Sequence, residues 1–122
     1  MIGRILLPIL LFTATAAVAG SDVLSPVPAL TVVGQSYFGE AAASKILFVN
    51  VRNRPVRIAW LDFNGAEHPY AILAPGEQVL QPTYVANRWL VEDGGDGQPL
   101  EAFISTRSAE NDGGTAQIAL IR

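Results

Sequence analysis

The chain has 122 residues and a formal net charge of −3, with 50% hydrophobic and 16% charged residues, no cysteine and one histidine. That composition excludes a disordered tail, a two-domain enzyme, a disulfide scaffold, a thiolate catalyst and a cysteine zinc site. No basic footprint exists for a nucleic-acid partner, and a single histidine leaves no His-pair metal motif, so neither metal nor cofactor is expected.

Met1–Ala19 reads as a signal peptide. Arg4 is the positive start, Ile5–Phe12 is an apolar stretch interrupted by Pro8, and Ala17-Val18-Ala19 has the small-x-small cleavage pattern. The apolar run Ile5–Ala19 falls short of the roughly 20 residues that cross a membrane. The expectation is export to a periplasmic or extracellular space, with no stable membrane insertion after cleavage. About 103 residues then remain, enough for one modest core.

Gly20–Ala43 is expected to be a lead-in segment. Pro26 and Pro28 interrupt regular structure, leaving room for a short edge strand around Leu30–Val33. Ser44–Arg122 has a different pattern. Lys45–Val51 is rich in β-branched and aromatic residues and reads as a strand. Val56–Phe63 alternates, with Val56, Ile58 and Trp60 on one face and Arg57, Ala59, Leu61 and Phe63 on the other. Apolar residues on both faces predict cover on both sides near its end.

Asn64-Gly65 is a hairpin signal. Tyr70–Leu73 is a short strand closed by the Ala74-Pro75-Gly76 turn. Glu77–Tyr84 is the next strand, and Pro82 marks it as an edge or a bulge. Arg88–Glu92, Leu100–Thr106 and Thr115–Arg122 complete the set, separated by Asp93–Gly97 and Glu110–Gly114. Seven short strands at this turn spacing, with no helical period, predict an all-β chain folded as a seven-stranded β-sandwich.

Little in the sequence carries catalysis. His68 follows Asn64-Gly65 in what reads as a loop, where a lone histidine is a solvated residue. No serine lies in a nucleophile elbow. The carboxylates Glu92, Asp93 and Asp96 flank glycines, which fits a solvated turn better than an acid–base pair in a cleft. Asp93–Gly97 and Asn111–Gly114 lack the ligand spacing of an EF-hand loop. No enzyme is expected.

The aromatics are more informative. Trp60 and Trp89 fall late in predicted strands, with Tyr70 and Tyr84 close in sequence. Such residues either fill a core or line a pocket for a proline-containing peptide or a sugar ring. From the residues alone these readings stay open: a peptide-binding module, a structural or interaction sandwich with its aromatics in the core, and a carbohydrate-binding module.

The ordered set Trp60-Leu61-x-Phe63-x-Gly65, Tyr70-x-x-Leu73-x-Pro75-Gly76, Thr83-Tyr84 and Trp89, preceded by Ser44–Asn50, resembles the von Hippel–Lindau β-domain family. The likeness runs without a gap from Ser44 to about Gly95. It implies a seven-stranded sandwich that recognises hydroxyproline in an extended protein or peptide ligand. By this resemblance Trp60, Tyr70 and Trp89 are the aromatic walls of the ring pocket, and Tyr84 stands beside it. Thr83 takes the place of a serine, and Asn87 that of a histidine, that hydrogen-bond the 4-hydroxyl. Pro82 replaces a histidine that contacts peptide backbone. Threonine and asparagine still donate and accept. The family's adaptor-recruiting helical domain has no counterpart here, so a stand-alone binding module is expected, not a ligase subunit.

Overall fold

The computed structural model describes residues 22–29, 42–108 and 114–122. The signal-peptide reading, the edge strand around Leu30–Val33 and most of the Glu110–Gly114 turn lie outside the described residues. The described chain forms seven strands and no helix: β1 (Ala43–Asn50), β2 (Val56–Leu61), β3 (Glu67–Leu73), β4 (Gln78–Tyr84), β5 (Arg88–Asp93), β6 (Pro99–Ile104) and β7 (Gln117–Ile121). They make two sheets in the orders β4-β1-β7 and β3-β2-β5-β6. Neighbouring strands are antiparallel except β1 and β7, which run parallel.

Alternation decides which residues meet between the sheets. Along β1, Ile46 and Phe48 point inward and Lys45, Leu47 and Val49 outward, following the pleat. Ile46 and Phe48 pack against Val56, Ile58, Trp89, Val91 and Phe103 from the four-stranded sheet, with Ala119 and Ile121 from β7. Phe48 meets Trp89 at 5.8 Å and Phe103 at 6.2 Å between ring centroids, both inclined, the arrangement aromatic quadrupoles favour.

The two-faced character of β2 has a structural cause. Its inner residues enter the main core, while Leu61 joins Leu90 and Ala102 in a second cluster on the outer face, covered by Val27 and Ala29. The covering residues belong to the lead-in. The Leu24 N–H donates to Ile118 of β7 (2.8 Å), and Val27 exchanges two hydrogen bonds of 2.9 Å with Ala102 of β6. One extended segment therefore caps the outermost strand of each sheet, and two exposed edges gain partners.

Two expectations change in the structure. His68 lies in β3 rather than a loop, because β3 starts at Glu67 and carries Pro69 within it. An edge strand tolerates a residue with no N–H. Glu92 and Asp93 are buried rather than in a solvated turn, since β5 lies between β2 and β6. Glu92 pairs with Arg57 at 2.8 Å. Asp93 accepts from the N–H groups of Gly95 and Asp96, and these amides, with Arg54 beside them, hold its carboxyl below the usual range. The expected turn at Ala74–Gly76 is present, and it carries the chain from β3 in one sheet to β4 in the other. Its geometry is that of a type II turn, with Pro75 second, Gly76 third at φ 82° and a Glu77 N–H to Ala74 carbonyl bond of 3.0 Å.

Asn50 ties this crossover to the rest. Its side chain is fully buried, and Nδ2 donates to the Leu73 carbonyl (3.0 Å) and the Arg54 carbonyl (2.9 Å), while Oδ1 accepts from the Arg52 N–H (3.0 Å). One residue of the three-stranded sheet thus satisfies backbone groups at the end of β3 and in the β1–β2 loop. Asn50→Ala leaves these groups dry and should lower unfolding free energy by about 3 kcal/mol. Denaturant unfolding checks this, and a loss under about 1 kcal/mol would show that the clamp is not structural.

Candidate functional site

The aromatic positions converge at one end of the sandwich. Trp60 and Trp89 are direct cross-strand partners on β2 and β5, Trp89 pairs in turn with Phe103 on β6, and Trp60 with His68 on β3. Directly paired residues share a face, so His68, Trp60, Trp89 and Phe103 form one row across the inner side of the sheet. Burial falls along it from β6 to β3: Phe103 and Trp89 are enclosed, Trp60 is half-buried and His68 exposed. The row therefore begins as core and ends as surface, and a cleft opens where it changes.

That cleft has a volume of about 190 Å³, and the structure places all six expected residues on its lining: Trp60, Tyr70, Thr83, Tyr84, Asn87 and Trp89. Small-molecule pockets commonly span roughly 300–1,000 Å³, so the space suits one ring-sized group and not a whole ligand. Phe63 and Pro82 complete the lining. Alternation along Val56–Phe63 puts Phe63 on the face opposite Trp60. The strand ends at Leu61, however, and the following turn brings the Phe63 ring within 5.4 Å of Trp60, perpendicular to it.

Tyr70 owes its position to a β-bulge. The β2–β3 register passes from Ile58↔Ala71 to Ala59↔Pro69, leaving Tyr70 without an opposite residue. An unpaired residue is re-aimed by the local twist. Here the Tyr70 ring stands edge-on to Trp89, with centroids 5.2 Å apart, while 53% of the residue stays exposed.

The polar end is built by β4 and the crossover that follows. Thr83 Oγ1 accepts a 3.0 Å hydrogen bond from Trp89 Nε1, a buried contact that joins the two sheets. The hydroxyl keeps its own proton to donate. Asn87 is only 5% exposed and lines the cleft. Tyr84–Asn87 turns with Ala86 at φ 75°, a left-handed conformation that costs a non-glycine residue roughly 1–2 kcal/mol. Ser105 holds the turn: its carbonyl accepts from the Ala86 N–H (2.8 Å), its N–H donates to the Asn87 carbonyl (3.2 Å) and its hydroxyl donates to the Tyr84 carbonyl. Neither Ala86 nor Ser105 has a local sequence signal for this role. An alanine hides the positive φ that a glycine would have announced, and Ser105 acts across the fold.

Thr83→Val tests whether the indole bond is structural. The isostere removes the acceptor and leaves a buried N–H, at a cost of about 1–3 kcal/mol. The Trp89 indole proton resonance should also move, with the Trp60 resonance as internal reference. Unchanged stability and an unmoved Trp89 signal would mean that the contact does not form.

A comparison with curated proteins returns no match. The family model described as the VHL beta domain matches residues 36–106. That span takes in the first six strands and every residue lining the cleft, and the VHL β domain is a binding domain. The chain belongs to the VHL β-domain family.

Proposed function

We propose that the protein is an exported, non-catalytic binding module that takes a proline ring of an extended peptide into the cleft, with 4-hydroxyproline favoured over proline. The meeting of Thr83 and Asn87 with the rings of Trp60, Tyr70 and Trp89 on one ring-sized cleft carries this reading. The Thr83 oxygen accepts from Trp89 and its hydroxyl still has a proton to give, while the Asn87 carboxamide can donate and accept. A 4-hydroxyl entering between them can accept from Thr83 and donate to the Asn87 carbonyl oxygen. The aromatic walls match the apolar part of the ring, and the cleft volume matches its size.

The neighbouring edge suits a peptide. Asn50 and Ala42 of the three-stranded sheet bond to Glu77 and Val85, the residues just outside β4. By alternation, Gln78 and Leu80 turn their backbone groups away from β1, whereas Pro82 has no N–H and a carbonyl bonded by Gln81, and the Tyr84 carbonyl is taken by Asn87 and Ser105. Three edge strands are blunted: β6 and β7 by the lead-in, and β3 by Pro69 and the Tyr70 bulge. Among the described residues the Leu80 N–H and carbonyl of β4 have no partner, and a further strand added there would run towards the cleft.

A purely structural role for the aromatics has support at Trp89, which is 2% exposed and packed on Phe48. It has none at Tyr70 and Tyr84, both more than half exposed. Export rests on the Met1–Ala19 pattern.

Calorimetric titration with matched peptides, one carrying 4-hydroxyproline and one proline, tests the proposal. An unhydroxylated ring leaves the Asn87 amide unpaired, at a cost of about 1–3 kcal/mol, so at least roughly tenfold weaker binding is expected. Equal affinities would remove the hydroxyl-reading role. No binding of either peptide, with saturable binding of a glycan, would replace the peptide by a sugar.

A further inference from the structure

We propose that His68 is a positioning residue for the cleft: held by Asp62, it lies against one side of the Trp60 ring and fixes the wall that a ligand meets on the other. The proposal rests on the reading of the cleft as a ring-binding site. His68 does not line the cleft, so it acts only through Trp60.

The two tryptophans are held very differently. Trp89 is locked by the core on one side and by Thr83 on its indole nitrogen. Trp60 has no such bond, and its Nε1 is buried without a partner among the described residues. The Trp60 ring packs on the edge of the core, and beyond that it is held by contact with two other rings. Phe63 stands perpendicular to it, and His68 lies at 5.5 Å between centroids with the planes 37° apart. His68 is directly opposite Trp60 in the β2–β3 register, so the strand pairing itself brings the imidazole to the indole.

An exposed side chain would not hold its neighbour unless it were itself held. Half of the His68 side chain faces solvent, yet Nε2 is 2.7 Å from Asp62 Oδ2. Asp62 is fixed in turn. Its Oδ1 accepts from the N–H groups of Asn64 and Ala66, both at 2.8 Å. Its backbone closes the same loop through Asp62 N–H to Ala66 carbonyl (2.8 Å) and Gly65 N–H to Asp62 carbonyl (3.0 Å). The hydrogen bond from His68, then those from the Ala66 and Asn64 amides, keep the Asp62 carboxyl below the usual range. An ionised carboxylate only accepts, so Nε2 is the protonated nitrogen. The same loop carries Phe63, so Asp62 organises both rings that bracket Trp60.

The test compares the full protein with its His68→Ala and His68→Phe variants. Two readouts are taken: affinity for a 4-hydroxyproline peptide, and the two indole N–H signals by NMR, assigned with Trp60→Phe. Loss of an aromatic contact is expected to weaken peptide binding in His68→Ala by roughly three- to tenfold. The Trp60 indole signal should shift or broaden while that of Trp89 stays in place. His68→Phe restores the stacked plane without the bond to Asp62, and should recover part of the affinity. An unmoved Trp60 signal in folded His68→Ala overturns the proposal, and so does unchanged affinity. Should the wild-type protein bind no such peptide, the ring-binding reading fails, and the indole signals alone decide whether His68 holds Trp60.

Discussion

Trp89 Nε1 donates to Thr83 Oγ1 across the gap between the two sheets, and most of the cleft depends on that contact. The indole belongs to β5 and the hydroxyl to β4, so one buried hydrogen bond sets the distance between the sheets where the cleft opens. On one side the Trp89 ring packs into the core against Phe48, and on the other it meets Tyr70. Fold and site therefore share a residue: the indole that helps hold the sandwich closed also floors the cleft. The bond engages the Thr83 oxygen as acceptor, which leaves the hydroxyl proton, together with the Asn87 amide, as the polar equipment of the site.

Elsewhere the sandwich is secured by groups that leave the cleft untouched. Asn50 holds the β3–β4 crossover through its carboxamide, and the lead-in bridges the outer strands at Ile118 and Ala102. These anchors let the cleft end carry costs that a small core bears poorly: a left-handed alanine at Ala86, a bulge at Tyr70 and a buried, unpartnered indole nitrogen at Trp60. Local strain and unpaired buried groups concentrate at functional sites when the surrounding structure can hold them. Their clustering around one cleft of ring size is the physical reason to regard it as a binding site.

Much of the fold was legible in the sequence because its signals are local. Alternation in Val56–Leu61, the glycine and proline of Ala74–Glu77 and the proline in β4 each report conformation within a few residues. The all-β class and the number of strands follow from such signals. The sheet that each strand joins does not, since β3 and β4 are adjacent in sequence yet lie in different sheets. His68 looked like a loop residue because Pro69 argues against a strand, and only the edge position of β3 removes that objection. Phe63 was assigned to a face of β2 that ends two residues before it. The lead-in was read as a segment that interrupts structure because its partners on β6 and β7 lie far along the chain. The candidate site residues were legible only as an ordered set, Trp60, Tyr70, Thr83, Tyr84, Asn87 and Trp89, and the structure brings all of these to one cleft. The groups that hold them there, Ala86, Ser105 and Asp62, were not legible, because each acts through backbone geometry or contacts that no short motif encodes.

The central claim is that Thr83 and Asn87 together read a hydroxyl on a ring held by the aromatic walls. The most direct measurement follows the Asn87 side-chain amide protons by NMR while a 4-hydroxyproline peptide, and then its proline counterpart, is added. The account predicts that the Asn87 amide signals move on saturation with the hydroxylated peptide and move little with the other, while both peptides perturb the Trp60 indole. Signals of Asn87 that ignore a bound hydroxylated peptide would contradict it, since the buried amide would then have no part in recognition.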